Sequence, residues 1–276
     1  MNCDPNLIFD VGMHKGEDTD FYLKKGFRVV SFEADPDLIE HCKRRFADQI
    51  ARDQLNIIEG AIAPEQPGDR VQFYASSHSV WGTIRPEWVA RNAVIGGATS
   101  RLIEVRRVNI AEIFNRFGVP FYLKIDVEGV DHHVLQVLQN LSYRPKYISI
   151  ESEKNNFQEL VSEMNQLSCL GYKKFKIVQQ KNIPNTKIVS HDISGNEFEY
   201  NFENHSSGPF GEEIRQPWIS YNKAIRRYRA IYMLYMLVGD KTIFSRFGSH
   251  RNRITRAIQW IFRLPSAGWY DTHASL

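Results

Sequence analysis

The residues whose types and spacing could do chemistry fall in two short stretches. In the first, Asp10-Val-Gly-Met-His-Lys-Gly16 follows an apolar run and precedes a helical one. Gly12 and Gly16 allow a tight turn and a close approach of a ligand to a helix N-terminus, where free N–H groups point outward. A ligand carboxylate would be held there, with His14 or Lys15 adding charge. Glu33 follows Gly12 by 21 residues, at the end of the next strand-like run. An acidic side chain in that place can accept hydrogen bonds from both hydroxyls of a ribose. The pair implies a nucleoside-containing ligand. A dinucleotide site would need G-x-G-x-x-G, so that backbone can crowd against a pyrophosphate. Here Met13 and His14 stand beside the first glycine and that grip is missing. A cofactor without phosphates is favoured, and S-adenosylmethionine is the common one.

The second stretch is L-K-I-D-V-E-G-V-D at 123–131. Ligands in open α/β sheets bind outside the carboxyl ends of the strands, so Asp126 should project toward the crevice that holds Asp10 and Glu33. Two acids, Asp126 and Glu128, at a strand end are costly unless solvated, paired or used. Capping the next helix is the alternative, which Asp131 alone could do. Transfer of a methyl group needs an aligned nucleophile and usually a base for its proton. Asp126, Glu128, His132 and Glu151 are the candidates, all at carboxyl ends of strands or just after. His132 can equally be an ordinary first-turn residue. A divalent ion on Asp126, Glu128 and a third acid would suit magnesium, but nothing in the spacing demands it and no metal site is predicted.

These stretches need strands that end side by side. Runs at 7–12 (LIFDVG), 28–33 (RVVSFE), 55–59, 121–126 (FYLKID), 147–152 (YISIES), 172–179 and 197–202 read as strands, with helical runs at 17–25, 36–47, 131–140 and 155–170. Such alternation argues for βαβ units and a mostly parallel sheet. Residues 71–75 and 103–107 read as added strands around a longer excursion, 76–101. It contains Trp81, Trp88 and Gly96-Gly97, and reads as a functional loop.

The pieces F-D-V-G-M-H-K-G-E-D-T at 9–19, F-E-A-D-P at 32–36 and L-K-I-D-V-E-G at 123–129 resemble the FkbM family of methyltransferases. The resemblance implies a class I, Rossmann-like α/β fold: a seven-stranded, mostly parallel sheet with the last strand antiparallel and helices on both faces. It also implies methyl transfer from S-adenosylmethionine, usually to an oxygen, with S-adenosylhomocysteine as product. By that likeness Asp10, Gly12, Gly16 and Glu33 line the cofactor, and the same motifs bring Thr19, Ala34 and Asp35. Ala61 and Ile62 sit where the adenine rests, and Asp126 near the methionine end. The family acts on polyketides, sugars and glycans, so a hydroxyl of a small-molecule or glycan acceptor is expected. The segments at 206–213 (SSGPFGEE) and 269–274 (WYDTHA) resemble elements of one FkbM subgroup. A nucleotide-cofactor oxidoreductase and a non-catalytic S-adenosylmethionine-binding module are the competing readings.

Of 276 residues, the first 204 carry 24 basic and 28 acidic side chains, and the remaining 72 carry 11 and 4. The reading is an α/β domain over 1–204 and a C-terminal helical extension or acceptor-site lid over 205–276. Helical runs at 221–238 and 252–262 interleave Arg226, Arg227, Arg229, Arg246, Arg251, Arg253, Arg256 and Arg263 with aromatic residues. Solvated faces of packed amphipathic helices explain such a pattern. A peripheral membrane contact is the further option, and nucleic acid is disfavoured because I-D-V-E-G stands where base-modifying enzymes carry an N-P-P-Y-type motif. Cys3, Cys42 and Cys169 are few, odd in number and widely spaced, as in a reducing compartment. The most apolar stretch, 230–239, is about half of a membrane span. A cytoplasmic protein is expected.

Overall fold

The computed structural model describes residues 3–127, 129–152, 156–238 and 269–276. Strand β1 (Cys3–Val11) is buried on both faces from Leu7 to Val11, the mark of a central parallel strand. It pairs in parallel with β2 (Arg28–Glu33) on one side and β7 (Val119–Ile125) on the other. Outward from β2 lies β3 (Leu55–Glu59), and outward from β7 lies β8 (Tyr147–Glu151). Beyond β8 come β13 (Tyr270–Ser275), antiparallel to both neighbours, then β9 (Lys174–Gln179) and the two-residue β12 (Ile219–Ser220). Apart from the short edge strand β12, this is the expected class I sheet with one antiparallel strand.

The helices fill two layers. On one face Leu7, Phe9, Val11 and Leu123 pack with α5 (Ile110–Phe117), α6 (Asp131–Gln139), α7 (Phe157–Cys169) and α8 (Tyr221–Val238). On the other, Ile8, Val29 and Tyr122 pack with α1 (Glu17–Lys24), with Cys42 of α2 (Pro36–Arg45), and with Phe46, which leads into α3 (Ala47–Ala51). Phe202, Phe210 and the hairpin β10 (Lys187–His191) to β11 (Glu197–Asn201) complete that layer. A small sheet of β4 (Ala61–Ile62), β5 (Arg70–Ser76) and β6 (Ser100–Val108) stands at the open end, with α4 (Pro86–Gly96) in the excursion between β5 and β6.

Two expectations are corrected. The run at 197–202 is not a closing strand of the main sheet: it pairs with β10 in a separate hairpin. The antiparallel strand is β13, which comes after residue 204, so the chain beyond that boundary supplies part of the sheet. Its sequence YDTHAS is fully buried yet mostly polar, and so lacks the apolar pattern that marks an inner strand. Hydroxyl groups make the burial tolerable: Thr272 Oγ1 lies 2.6 Å from Tyr228 Oη and 2.8 Å from Ser152 Oγ. In α8, Ala224, Tyr228 and Ile231 face the core while Arg226, Arg227 and Arg229 are exposed, an amphipathic helix packed on the sheet. The helical run at 252–262 and the arginines from 246 onward lie outside the described residues. No helix among the described residues is long and apolar enough to cross a membrane.

Candidate active site

The carboxyl ends of β1, β2 and β7 open into one cavity. The chain leaves β1 through Gly12, whose φ of +94° suits glycine. A Cβ on Gly12 would lie 2.0 Å from the carbonyl oxygen of Asp126. Gly12 therefore lets the ends of β1 and β7 close on each other. Gly12→Ala is expected to cost about 1–3 kcal/mol from backbone strain alone, with the clash adding to it, read as a lowered urea midpoint at unchanged slope. Gly16 does not reach the cavity: it begins α1 at φ +84°, and a Cβ there would strike the Phe46 ring at 2.3 Å.

Glu33 ends β2 at the cavity wall and is held by backbone. Its carboxylate accepts from the N–H of His14 at 2.8 Å, Ala34 at 2.8 Å and Asp35 at 2.9 Å. Burial pushes its carboxyl up to about 7, against the pull of those three donors. Beside it Ala61, Ile62, Phe73 and Ile84 form an apolar slot. The segment Ser79–Ile84 reaches this slot because Tyr74 and Thr83 pair their backbones, so the first part of the excursion 76–101 contributes wall, while α4 fills much of the rest.

At the other end lies a buried charge network. Lys124 Nζ sits 3.2 Å from Asp10, 3.4 Å from Asp18 and 3.4 Å from Asp126, and donates to the Gly12 carbonyl at 3.2 Å. Asp10 is fully buried, and its other oxygen accepts from Thr19 Oγ1 at 2.6 Å. Burial pushes Asp10 above the usual carboxylate range, with Lys124 opposing. Burial likewise pushes Asp18 up to about 7, although Lys124 and the Ser207 N–H favour its charged form. Asp126 is half-exposed toward the cavity.

The structure thus brings Gly12, His14, Glu33, Ala34, Asp35, Ala61, Ile62 and Asp126 to one cavity. It does not bring Asp10, Lys15, Gly16 or Thr19 to the wall. Asp10 and Thr19 act from behind, steadying Lys124. Lys15 is exposed, its N–H bonded to Glu17 and its carbonyl to Arg45. Among the base candidates, His132 is exposed and lies 3.3 Å from Gln166 on α7, away from the cavity. Glu151 ends β8 opposite Asp271, also off the wall. Glu128 lies outside the described residues. Asp126 alone of the described candidates lines the cavity.

The sequence reading did not single out Glu17, Asp18, Ser79, Lys124 or His205, all of which line the cavity. Glu17 and Asp18 had the look of ordinary acids in a first helical turn. Ser79 and His205 lie in loops with no periodic signal. The 205–213 loop folds back so that Ser207 meets Asp18 and the His205 ring stands edge-on to His14 at 5.5 Å.

The cavity fits a nucleoside-bearing sulfonium. The apolar slot suits an adenine, Glu33 a ribose diol, and the acidic end the ammonium of an amino-acid tail. Among the described residues lining it, Lys124 is the one Lys or Arg, and it is committed to three carboxylates. That leaves no cationic side chain to grip a pyrophosphate. No group of three or more potential metal ligands occurs among the described residues.

The family description "Methyltransferase FkbM domain" matches residues 10–174. A probable ribosomal RNA small subunit methyltransferase A from Methanospirillum hungatei is 39% identical over 54 residues, 20% of this chain and 21% of that protein. Its counterpart from Haloarcula marismortui is 35% identical over 59 residues, 21% of each chain. The chain thus spans about a fifth of the length of these curated relatives. Among solved structures, a SAM-dependent methyltransferase from Archaeoglobus fulgidus matches at TM-score 0.40 and 11% identity, covering 99% of this chain and 87% of the other. A precorrin-6Y C5,15-methyltransferase from Geobacter metallireducens matches at TM-score 0.36 and 12% identity, covering 72% and 77%.

Proposed function

The chain belongs to the FkbM family of methyltransferases, which makes it an S-adenosylmethionine-dependent enzyme, and on that premise we propose that it methylates a hydroxyl oxygen of a sugar, glycan or polyketide-like acceptor. One observation carries the reading of the site: a single cavity sets an apolar slot, the Glu33 carboxylate and the acidic end at Asp126 in line. In this reading Glu33 receives the ribose hydroxyls, Ala61 and Ile62 flank the adenine, and Asp126 faces the amino-acid end. The cofactor supplies an electrophilic methyl group on a sulfonium. The protein aligns the acceptor with it, excludes water and accepts the acceptor's proton. Alignment of two reactants can supply on the order of 7–11 kcal/mol of the barrier. An oxygen acceptor rests on the family likeness.

Thermal-shift measurements with S-adenosylhomocysteine and with NAD test the cofactor reading. Ligand at about 100 times its Kd stabilises by roughly 2.7 kcal/mol, which is several degrees in Tm for a chain of this size. Stabilisation by S-adenosylhomocysteine and none by NAD is expected; the reverse pattern would overturn the assignment. A methyl-release assay over hydroxyl-bearing sugars, glycans and polyketides, with amine and thiol controls, then tests the acceptor class.

A further inference from the structure

His14 stands in the loop between β1 and α1 with a left-handed backbone, φ +53°. Non-glycine residues hold that conformation at a cost, and such strain is kept where the surroundings enforce it and the side chain has a use. Here both sides of the backbone are pinned. The N–H donates to Glu33 at 2.8 Å, and the carbonyl accepts from Cys42 Sγ at 3.2 Å. The imidazole is thereby aimed, and it is largely buried.

Its two nitrogens have different partners. Nδ1 lies 3.0 and 3.1 Å from the two oxygens of Glu17, and Nε2 lies 2.8 Å from Ser79 Oγ. Burial raises the Glu17 carboxyl, but its hydrogen bond to His14 and the neighbouring imidazoles outweigh that and leave it below the usual range. A carboxylate can only accept, so Nδ1 carries a hydrogen, and in the neutral ring Nε2 then presents its lone pair to Ser79. The serine hydroxyl then donates to Nε2 and keeps its own lone pairs for another donor. Glu17, His14 and Ser79 all line the cavity. The titratable groups around His14 are Glu17 on α1 and His205 from the loop after β11 against the ring, and Glu33 on β2 and Cys42 on α2 against the backbone. Asp126, the other candidate in the cavity, is ion-paired with Lys124 at 3.4 Å.

We propose that Ser79, His14 and Glu17 form the proton relay for the acceptor hydroxyl, an inference that rests on the hydroxyl reading above. The acceptor oxygen forms its bond to the methyl carbon as the carbon–sulfur bond breaks and the electron pair returns to sulfur. The acceptor's proton passes to Ser79 Oγ, whose own proton passes to His14 Nε2. Glu17 balances the imidazolium, which gives its proton to water after the product leaves. Ser79 touches the acceptor, His14 stores the proton and Glu17 is the positioning residue.

His14→Asn and His14→Gly both tolerate the left-handed backbone, so folding is retained while the proton store is removed. With a hydroxyl acceptor, kcat is expected to fall about 10²–10⁴-fold in both, well beyond any loss of S-adenosylhomocysteine affinity. Added imidazole should restore on the order of tenfold activity to His14→Gly. Unchanged kcat in both variants sinks the relay alone, as does a loss of cofactor affinity that imidazole does not repair. A wild-type enzyme that methylates amines or thiols and no hydroxyl sinks the acceptor reading and the relay together. Nitrogen-resolved NMR of the wild-type protein bound to S-adenosylhomocysteine should show His14 protonated at Nδ1 and free at Nε2, whatever the acceptor. The opposite tautomer overturns the relay.

Discussion

Lys124→Met is expected to lower the unfolding free energy by about 3–5 kcal/mol near pH 8, the usual result of removing one partner from a buried ion pair. The methionine fills much of the same space, so lost packing is a small part of the effect. What remains is Asp10, fully buried, and Asp18, nearly so, with no positive charge between them. Asp126 is half in solvent and suffers less. The sign of the pH dependence follows from the carboxyls. Asp18 is already pushed up to about 7 by burial, so the native state holds a proton that the unfolded chain releases near 4. A group raised in this way contributes stability at low pH that is lost as pH rises through its folded value. Lys124 opposes the shift, so its removal raises Asp10 and Asp18 further. The penalty should be smallest near pH 5 and grow toward pH 8 in urea unfolding curves. Asp18→Asn placed on the Lys124→Met background should recover part of the loss at pH 8 and little at pH 5. A uniform penalty across that range would show that the network is not electrostatic in origin.

The same network marks the boundary of what could be read from the sequence. Gly12 and Glu33 were legible because one βαβ unit fixes their separation: a strand end, a turn, a helix and a second strand end follow one another between residues 10 and 33. Asp126 was legible because a parallel sheet places every strand's carboxyl end on one side. Lys124 sits in an inner strand, where alternation points it at the β1–α1 turn, yet a lysine in a mixed run such as FYLKID carries no sign of three carboxylate partners. Gly16 was misjudged for a related reason. Its spacing matches a ligand-binding turn, but the atom it makes room for belongs to Phe46. Ser79 and His205 approach His14 from positions 65 and 191 residues away, through loops whose course is set by backbone pairing at Thr83 and by the Ser207–Asp18 bond. Strand β13 was missed because its buried side chains are mostly polar, Thr272 among them bonded to Tyr228 and Ser152. Local spacing carries the strand-end part of the cavity; long-range packing carries the part lined by Ser79 and His205.

Affinity for S-adenosylhomocysteine should rise with pH up to about 7 and level off above it. In the free enzyme burial pushes the Glu33 carboxyl up to about 7, and a protonated carboxyl cannot accept from both ribose hydroxyls. Hydroxyl donors favour the carboxylate, so the bound state has the lower value and binding expels a proton. By linkage, affinity then falls by up to about tenfold for each pH unit below 7. Calorimetric titration should give roughly 30-fold weaker binding at pH 5.5 than at pH 8, with proton release seen as a dependence of the heat on buffer ionisation. Asp18 also titrates near 7 and lines the cavity, so the slope must be assigned by substitution. Glu33→Gln loses charge-assisted bonds worth about 1.5–3 kcal/mol each, and its amide nitrogen must face either the His14 N–H or the N–H groups of Ala34 and Asp35. At pH 8 it should weaken binding on the order of 100-fold or more, and its affinity should no longer vary between pH 5.5 and 8. A Glu33→Gln protein that keeps the wild-type slope would move the titrating group to Asp18, and one that keeps wild-type affinity would remove Glu33 from the ribose site.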